Sequence, residues 1–202
     1  MRDGVRVIED ELLSDNWGTL RRYVIEVRRR SGEWQRQLRE VYDRGHAAVI
    51  LLADPTRGRV VLVRQFRLPV HLGGDDPHLI EACAGLLEGD APETCARKEA
   101  EEETGIRPTS LRHLFDAYMS PGSVTEKQAF YLGTYDAESR VSSGGGLADE
   151  GEDIEVLEMP FGTALAMIRS GEIIDAKTIM VLQHVALNGL MPEAGDQSAN
   201  GS

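Results

Sequence analysis

The sequence predicts an α/β protein, a mixed sheet with helices, preceded by a separate antiparallel β-element. Three observations carry this reading. Residues 20–27 and 34–41 are β-like runs around the turn signal Ser31-Gly32, and Tyr23-Val24-Ile25-Glu26-Val27 alternates between a polar and an apolar face. Residues 46–52 (HAAVILL) and 59–66 (RVVLVRQF) are apolar, β-branched runs of the kind found in strands buried on both faces. Helical start signals or helical spacing then appear at residues 92–104, 161–169 and 175–187.

In chain order, residues 5–8 read as a short strand followed by a polar connection. The two alternating runs form a hairpin, and an isolated hairpin is marginal in water. It is therefore expected to pack against another chain. Asp54-Pro55-Thr56-Arg57-Gly58 joins the two apolar strands, and Arg64 and Arg67 close the second. A strand-end arginine is ordinarily a surface charge, but the fork of Arg67 would suit a diphosphate. Residues 78–84 form a further strand running into Gly85. Residues 111–118 and 129–135 are strands flanking the loop MSPGSVTEK, which contains Glu126. Residues 138–153 (ESRVSSGGGLADEGED) read as a flexible acidic segment, either a disordered insert or a mobile loop that brings an acid to the site. A strand at 154–159 anchors its far end. In the last helix Ile179, Leu182, Val185 and Ala186 recur at core spacing, while Lys177 is either a phosphate or sugar contact or a solvated lysine. The tail 191–202 is polar and expected to be disordered.

Composition bounds the function. The 202 residues suit one domain, or one domain with an appended small sheet. Lys and Arg total 22 against 34 Asp and Glu, a formal net charge of −12 that argues against nucleic acid and anionic membrane partners. An acidic protein that handled an anionic substrate would need cations at its site. Cys83 and Cys95 give no disulfide framework and read as core residues of a reduced, cytoplasmic protein. The N-terminus lacks the apolar core of a signal peptide, and no run approaches a membrane span.

The stretch around which the rest is organised is residues 85–106, GLLEGDAPETCARKEAEEETGI. Pro92 suits a first helical turn, Asp90 could accept from free backbone N–H groups, and Thr104-Gly105 supplies a stop. Glu99 and Glu103 fall one above the other with Glu102 beside them, so three carboxylates share one face. Like charges at that spacing repel by a few tenths of a kcal/mol each, roughly, and a divalent cation would remove the repulsion. A solvated acidic face is the competing reading of this cluster alone.

This stretch resembles the Nudix box, which runs Gly, five residues, Glu, seven residues, then Arg-Glu-apolar-any-Glu-Glu-any-Gly-apolar. Gly85 opens it, Asp90 stands where Glu is expected, and Lys98-Glu99-Ala100-Glu101-Glu102-Glu103-Thr104-Gly105-Ile106 closes it. One residue is missing between Gly85 and Asp90. Lys98 replaces Arg and can hold Glu102 one turn on, as a point charge with a looser grip. Outside the box, REVYDRG (39–45), VVLVRQFR (60–67), CAGLL (83–87), YMSPGSVTE (118–126), GEDIEVLEMPF (151–161) and SGEIIDAKT (170–178) are similar, in order, to the GDP-mannose pyrophosphatase branch of that family.

The resemblance implies a Nudix α/β/α sandwich (44–190), preceded by an N-terminal sheet (1–43) exchanged across a homodimer. It implies Mg²⁺-dependent hydrolysis of a nucleotide sugar, GDP-mannose to GMP and mannose 1-phosphate, with Mn²⁺ as a substitute ion. The metal ligands carried over are the Ala84 carbonyl, Glu99, Glu103 and Glu152, with Glu103 or Glu152 as general base. Substrate contacts carried over are Arg67, Gly85, Leu86, Glu126, Gly151 and Lys177. Gly151 stands where an acid is expected beside Glu152. Trp17, Leu38, Arg39 and Glu40 of the partner chain complete the pocket. ADP-ribose pyrophosphatase is the near alternative, and a non-catalytic nucleotide-sugar-binding regulator is the alternative of another class.

Overall fold

The computed structural model describes residues 4–147, 149 and 151–191. The expected tail beyond residue 191, and Glu150 of the acidic segment, lie outside the described residues. Two compact units emerge, one comprising the chain up to His46 together with Ala117–Gln128, the other built from Ala47–Asp116 and the chain from Ala129 onward.

The first unit contains a three-stranded antiparallel sheet of β1 (Val5–Asp15), β2 (Thr19–Arg28) and β3 (Trp34–Asp43), in that order. The short strand expected at residues 5–8 is therefore more than twice as long. Register shifts between Val7 and Glu9 and between Leu12 and Ser14 obscured it, because each bulge flips the alternation that the sequence pattern relies on. Cross-strand pairs Arg21–Asp10 and Arg36–Glu9 lace opposite faces of the sheet. Val5, Val7, Leu12, Trp34 and Leu38 remain exposed. Residues 117–128 join this unit through Tyr42, whose N–H donates to the Ser123 carbonyl at 2.8 Å and whose carbonyl accepts from Thr125 at 3.1 Å.

The second unit is organised by β4 (Ala47–Asp54) and β5 (Arg59–Phe66), neighbours in a mixed seven-stranded sheet of order β10-β5-β4-β9-β8. Here β8 is Ser110–Tyr118, β9 is Lys127–Thr134 and β10 is Glu155–Pro160. Two short strands, β6 (His78–Glu81) on β5 and β7 (Cys83–Leu86) on β4, complete it. The single strand expected over residues 78–84 is thus two. Between them the Ala82 N–H leaves the ladder and donates to the Thr178 hydroxyl at 2.7 Å.

Every residue of β4 is buried, as the apolar run predicted. Ala48, Ile50 and Leu52 join Val61, Val63, Cys83, Tyr131 and the inner side of helix α2 (Pro92–Thr104) in one core cluster. On the other face Phe130 stacks on Phe115, which touches His184 of helix α4 (Ala176–Leu187). Helix α3 (Phe161–Ser170) packs on β5, β10 and α4. Helices on both faces make β4 a strand of the fully covered kind. A short helix, α1 (Leu68–Gly73), was not foreseen; six residues with a proline in the first turn carry no helical period. Among the described residues no helix is long and apolar enough to cross a membrane.

Candidate active site

Helix α2 sorts its acids by side. On the outer side Glu93 pairs with Arg97 at 2.9 Å, Glu101 with Arg107 at 2.8 Å, and Lys98 stands 3.8 Å from Glu102, the loose one-turn contact expected of a lysine. The helix starts without side-chain help: Ala91 is its N-cap and Asp90 does not cap it, contrary to expectation. Pro92 at the first position removes one of the N–H groups that a helix start leaves open.

The inner side carries Glu99 and Glu103. Glu99 reaches β7 at Gly85, where a Cβ on the glycine would collide with its carboxylate. Only glycine lets the strand backbone come so close to that group. The carbonyls of Gly85 and Leu86 also face the Cys95 thiol, at 3.5 and 3.4 Å. Ala84, expected to offer its carbonyl, lies in β7 opposite Val49.

Glu103 is 1 % exposed, and its Oε2 is buried with no hydrogen-bond partner. Burial, then the charge of Glu99, push its carboxyl up to about 8; a hydrogen bond with Cys83 opposes them, and Glu152 adds a smaller push. Those couplings place Glu99, Glu103 and Glu152 within electrostatic range of one another. An unsatisfied buried carboxyl costs a protein free energy unless something completes it. Burial likewise pushes the Cys83 thiol well up and that of Cys95 to about 11, and both cysteines are free.

Glu152 is delivered by the segment expected to be mobile. Over residues 140–147 that segment is tied to the C-terminal end of α2. Val141 N–H donates to the Gly105 carbonyl at 2.8 Å, Gly145 N–H to Glu103 at 3.0 Å and Gly146 N–H to Glu102 at 3.1 Å. These bonds satisfy carbonyls that a helix end leaves open. Glu152 folds back so that its Oε2 accepts from Leu147 N–H at 2.9 Å. Gly146 has φ +77°, and a Cβ there would stand 2.5 Å from Glu152 Oε2. Glycine at this point serves both the backbone and the acid it lets in. Gly151, one residue before Glu152, is exposed.

A second cluster adjoins the first. Arg67, at the end of β5, grips Glu81 with both sides of its fork, Nε to Oε1 at 2.7 Å and Nη2 to Oε2 at 2.9 Å. Lys177, in the first turn of α4, also donates to Glu81 Oε2 and lies 3.1 Å from Asp175. Asp175 caps α4, accepting from the Thr178 N–H and hydroxyl. Burial would push Glu81 up, but Arg67 and Lys177 hold it below the ordinary carboxylate range. Sequence reading missed Glu81, although an acid inside the apolar strand HLIEACAG signals a buried partner.

The remaining expected residues belong to the first unit. Trp17 is 85 % exposed, with the Arg44 guanidinium 5.8 Å from its ring. Leu38, Arg39 and Glu40 lie on β3, where Arg39 donates to the Leu38 carbonyl and to Gln37, and Glu40 sits opposite Arg22. Glu126 accepts from the Gln128 amide at 3.1 Å.

The donor set around Glu103 is all oxygen, which suits a hard divalent cation. Among the described residues no three His, Cys, Asp or Glu side chains converge tightly enough to hold an ion by themselves. The partnerless Oε2 of Glu103, the two neighbouring carboxylates and the close Gly85 backbone nevertheless fit an ion that keeps waters in its shell, as Mg²⁺ does.

Residues 4–42 match the GDP-mannose pyrophosphatase NudK N-terminal domain, and residues 43–179 match the NUDIX domain. A GDP-mannose pyrophosphatase of Pectobacterium atrosepticum is 50 % identical over 190 residues, 94 % of this chain and 97 % of that protein. One of Salmonella arizonae is 50 % identical over 192 residues, 95 % of this chain and 100 % of the relative. A solved structure described as an ADP compounds hydrolase superposes with a TM-score of 0.72 at 18 % identity, covering 93 % of this chain and 96 % of that one; at this identity the likeness concerns the fold alone.

Proposed function

The chain belongs to the Nudix hydrolase family, and from that membership we propose that it hydrolyses the diphosphate bridge of GDP-mannose to give GMP and mannose 1-phosphate. The observation that carries the reading is Glu103, a wholly buried carboxyl with a partnerless oxygen that feels the charge of two further acids, on the helix that resembles the family's signature. The substrate follows from the relatives, named GDP-mannose pyrophosphatases at half identity over nearly their full length.

Nudix hydrolases require a divalent metal, and here we assign Mg²⁺, with Mn²⁺ able to replace it. Glu99, Glu103, Glu152 and the Ala84 carbonyl would hold it. Once bound, the ion supplies neutralisation of the diphosphate's charge and a more acidic water. The chain's own groups do the rest. Glu103 or Glu152 takes the proton of the attacking water, since both are carboxylates within one electrostatic cluster. Arg67 offers the free edge of its fork to a phosphate oxygen, and Gly85, Leu86, Gly151 and Lys177 are assigned as further substrate contacts. Trp17, Leu38, Arg39 and Glu40 are assigned to the pocket of a partner chain in a homodimer that exchanges N-terminal sheets. The exposed apolar side chains of β1 and β3 support that assembly, because an open sheet with uncovered hydrophobic residues favours a partner. We take residues 1–43 as the exchanged domain, 44–190 as the catalytic one, 191–202 as a tail, and the cytoplasm as the compartment.

The test is a substrate panel of GDP-mannose and ADP-ribose with and without Mg²⁺, the released monophosphates being resolved by chromatography. GMP and mannose 1-phosphate formed only with Mg²⁺ is the expected outcome. Preferential release of AMP would assign the chain to ADP-ribose instead, and binding without cleavage would make it a regulator.

A further inference from the structure

Glu81 itself has no part in the chemistry assigned above, although Arg67 and Lys177, which hold it, are both assigned to the substrate. Three elements meet on its buried carboxylate: β6 carries it, the end of β5 brings Arg67 and the first turn of α4 brings Lys177. The meeting is braced twice, by the hydrogen bond from Ala82 N–H to Thr178 and by the Asp175 cap that holds Thr178 and Lys177 together. Both oxygens of Glu81 are taken, and its exposure is 1 %. The Arg67 side chain, by contrast, is 37 % exposed, and two of its three nitrogens are spent on Glu81. Its Nη1 edge is what remains to meet a ligand.

Arg67 is also within electrostatic range of Glu103. A guanidinium on a flexible stem beside a cluster of acids would tend to fold onto them and compete with a cation for their oxygens. A bidentate clamp from behind prevents that, because a fork held at two points has one orientation left.

We propose that Glu81 is a positioning residue for phosphate recognition: it clamps Arg67 so that the free edge of the guanidinium meets the substrate's diphosphate, and Lys177 keeps that clamp in place as its second cation. This rests on the reading that the substrate carries a diphosphate. Glu81 touches no reacting atom, so its loss weakens the hold on substrate and leaves the chemical step largely intact.

The experiment compares kcat, KM for GDP-mannose and the thermal midpoint in the wild type, E81Q, E81D, R67K and E81Q/R67K, all with saturating Mg²⁺. E81Q is expected to raise KM by about tenfold to a hundredfold, the loss of a charge-assisted hydrogen bond, with kcat changed by less than about threefold. E81D keeps the charge and recovers part of the loss. Because Glu81 acts through Arg67, the double variant should be no worse than R67K within about twofold. A folded E81Q with wild-type KM, a loss confined to kcat, or effects that multiply in the double variant each overturn the proposal. So does failure of both E81Q and E81D to fold, which would make the carboxylate a prop of the fold alone. A wild type that cleaves neither GDP-mannose nor ADP-ribose would sink the functional reading itself, and this proposal with it.

Discussion

Glu81 and Glu103 are equally buried, each 1 % exposed, yet their surroundings are opposite. Glu81 has two cations on its oxygens and is held below the usual carboxylate range. Glu103 has a partnerless oxygen and two acids nearby, and is pushed up to about 8. Burial works the same way in both, so the neighbours decide. The first glutamate is completed by the chain itself. The second is left for something the chain does not encode, and that asymmetry separates a carboxylate that organises the site from one that works in it.

Neutralising the working acid should have the largest effect. Glu103→Gln should cost about a hundredfold to ten-thousandfold in kcat, the range for a lost general base. Its chemical unfolding in metal-free buffer above about pH 8 should be no easier than that of the wild type, because there the amide replaces a buried charge that lacks a counterion. Wild-type turnover at saturating Mg²⁺ would reject the role.

Removing the organising acid should do the reverse. Glu81→Ala leaves Lys177 buried beside an empty place, and urea unfolding should report a loss of about 3 kcal/mol, the low end for a broken buried pair because Arg67 stays partly exposed. An unchanged midpoint would mean that the node contributes nothing to the fold.

Gly146→Ala probes the link between the loop and Glu152. The new Cβ would crowd the Glu152 carboxylate and force a residue other than glycine to φ +77°. We expect kcat about tenfold lower from the misplaced acid and about 1 kcal/mol lost to backbone strain. Full activity would mean that the strap does not position Glu152.

The smallest effect concerns pH. A carboxyl whose folded pKa is depressed stabilises the fold above its unfolded value, near 4.5, and loses that contribution as pH falls through the lower folded value. The wild type should therefore hold its advantage over E81Q down to about pH 4.5 and lose it in more acid buffer. An advantage independent of pH would contradict the depressed value.

Much of this was legible in the sequence. The apolar runs that became β4 and β5 needed no structure to recognise, since strands covered on both faces leave no polar alternation. The acidic face of α2 was equally plain, because helical spacing alone stacks Glu99 on Glu103. Three things were not. The bulges of β1 broke the two-residue period that identifies a strand. The triple glycine read as looseness, and only the carbonyls at the end of α2 show why it is tied down. The partners of Glu81 stand 14 and 96 residues away, a pairing that no local pattern encodes.

The most direct test is to grow crystals, soak them in Mn²⁺ and collect anomalous data. An ion bound by Glu103 at about 2.0–2.6 Å is expected, with Glu99, Glu152 and the Ala84 carbonyl around it. An anomalous map empty at that point, with Glu103 still buried and its oxygen still without a partner, would contradict it.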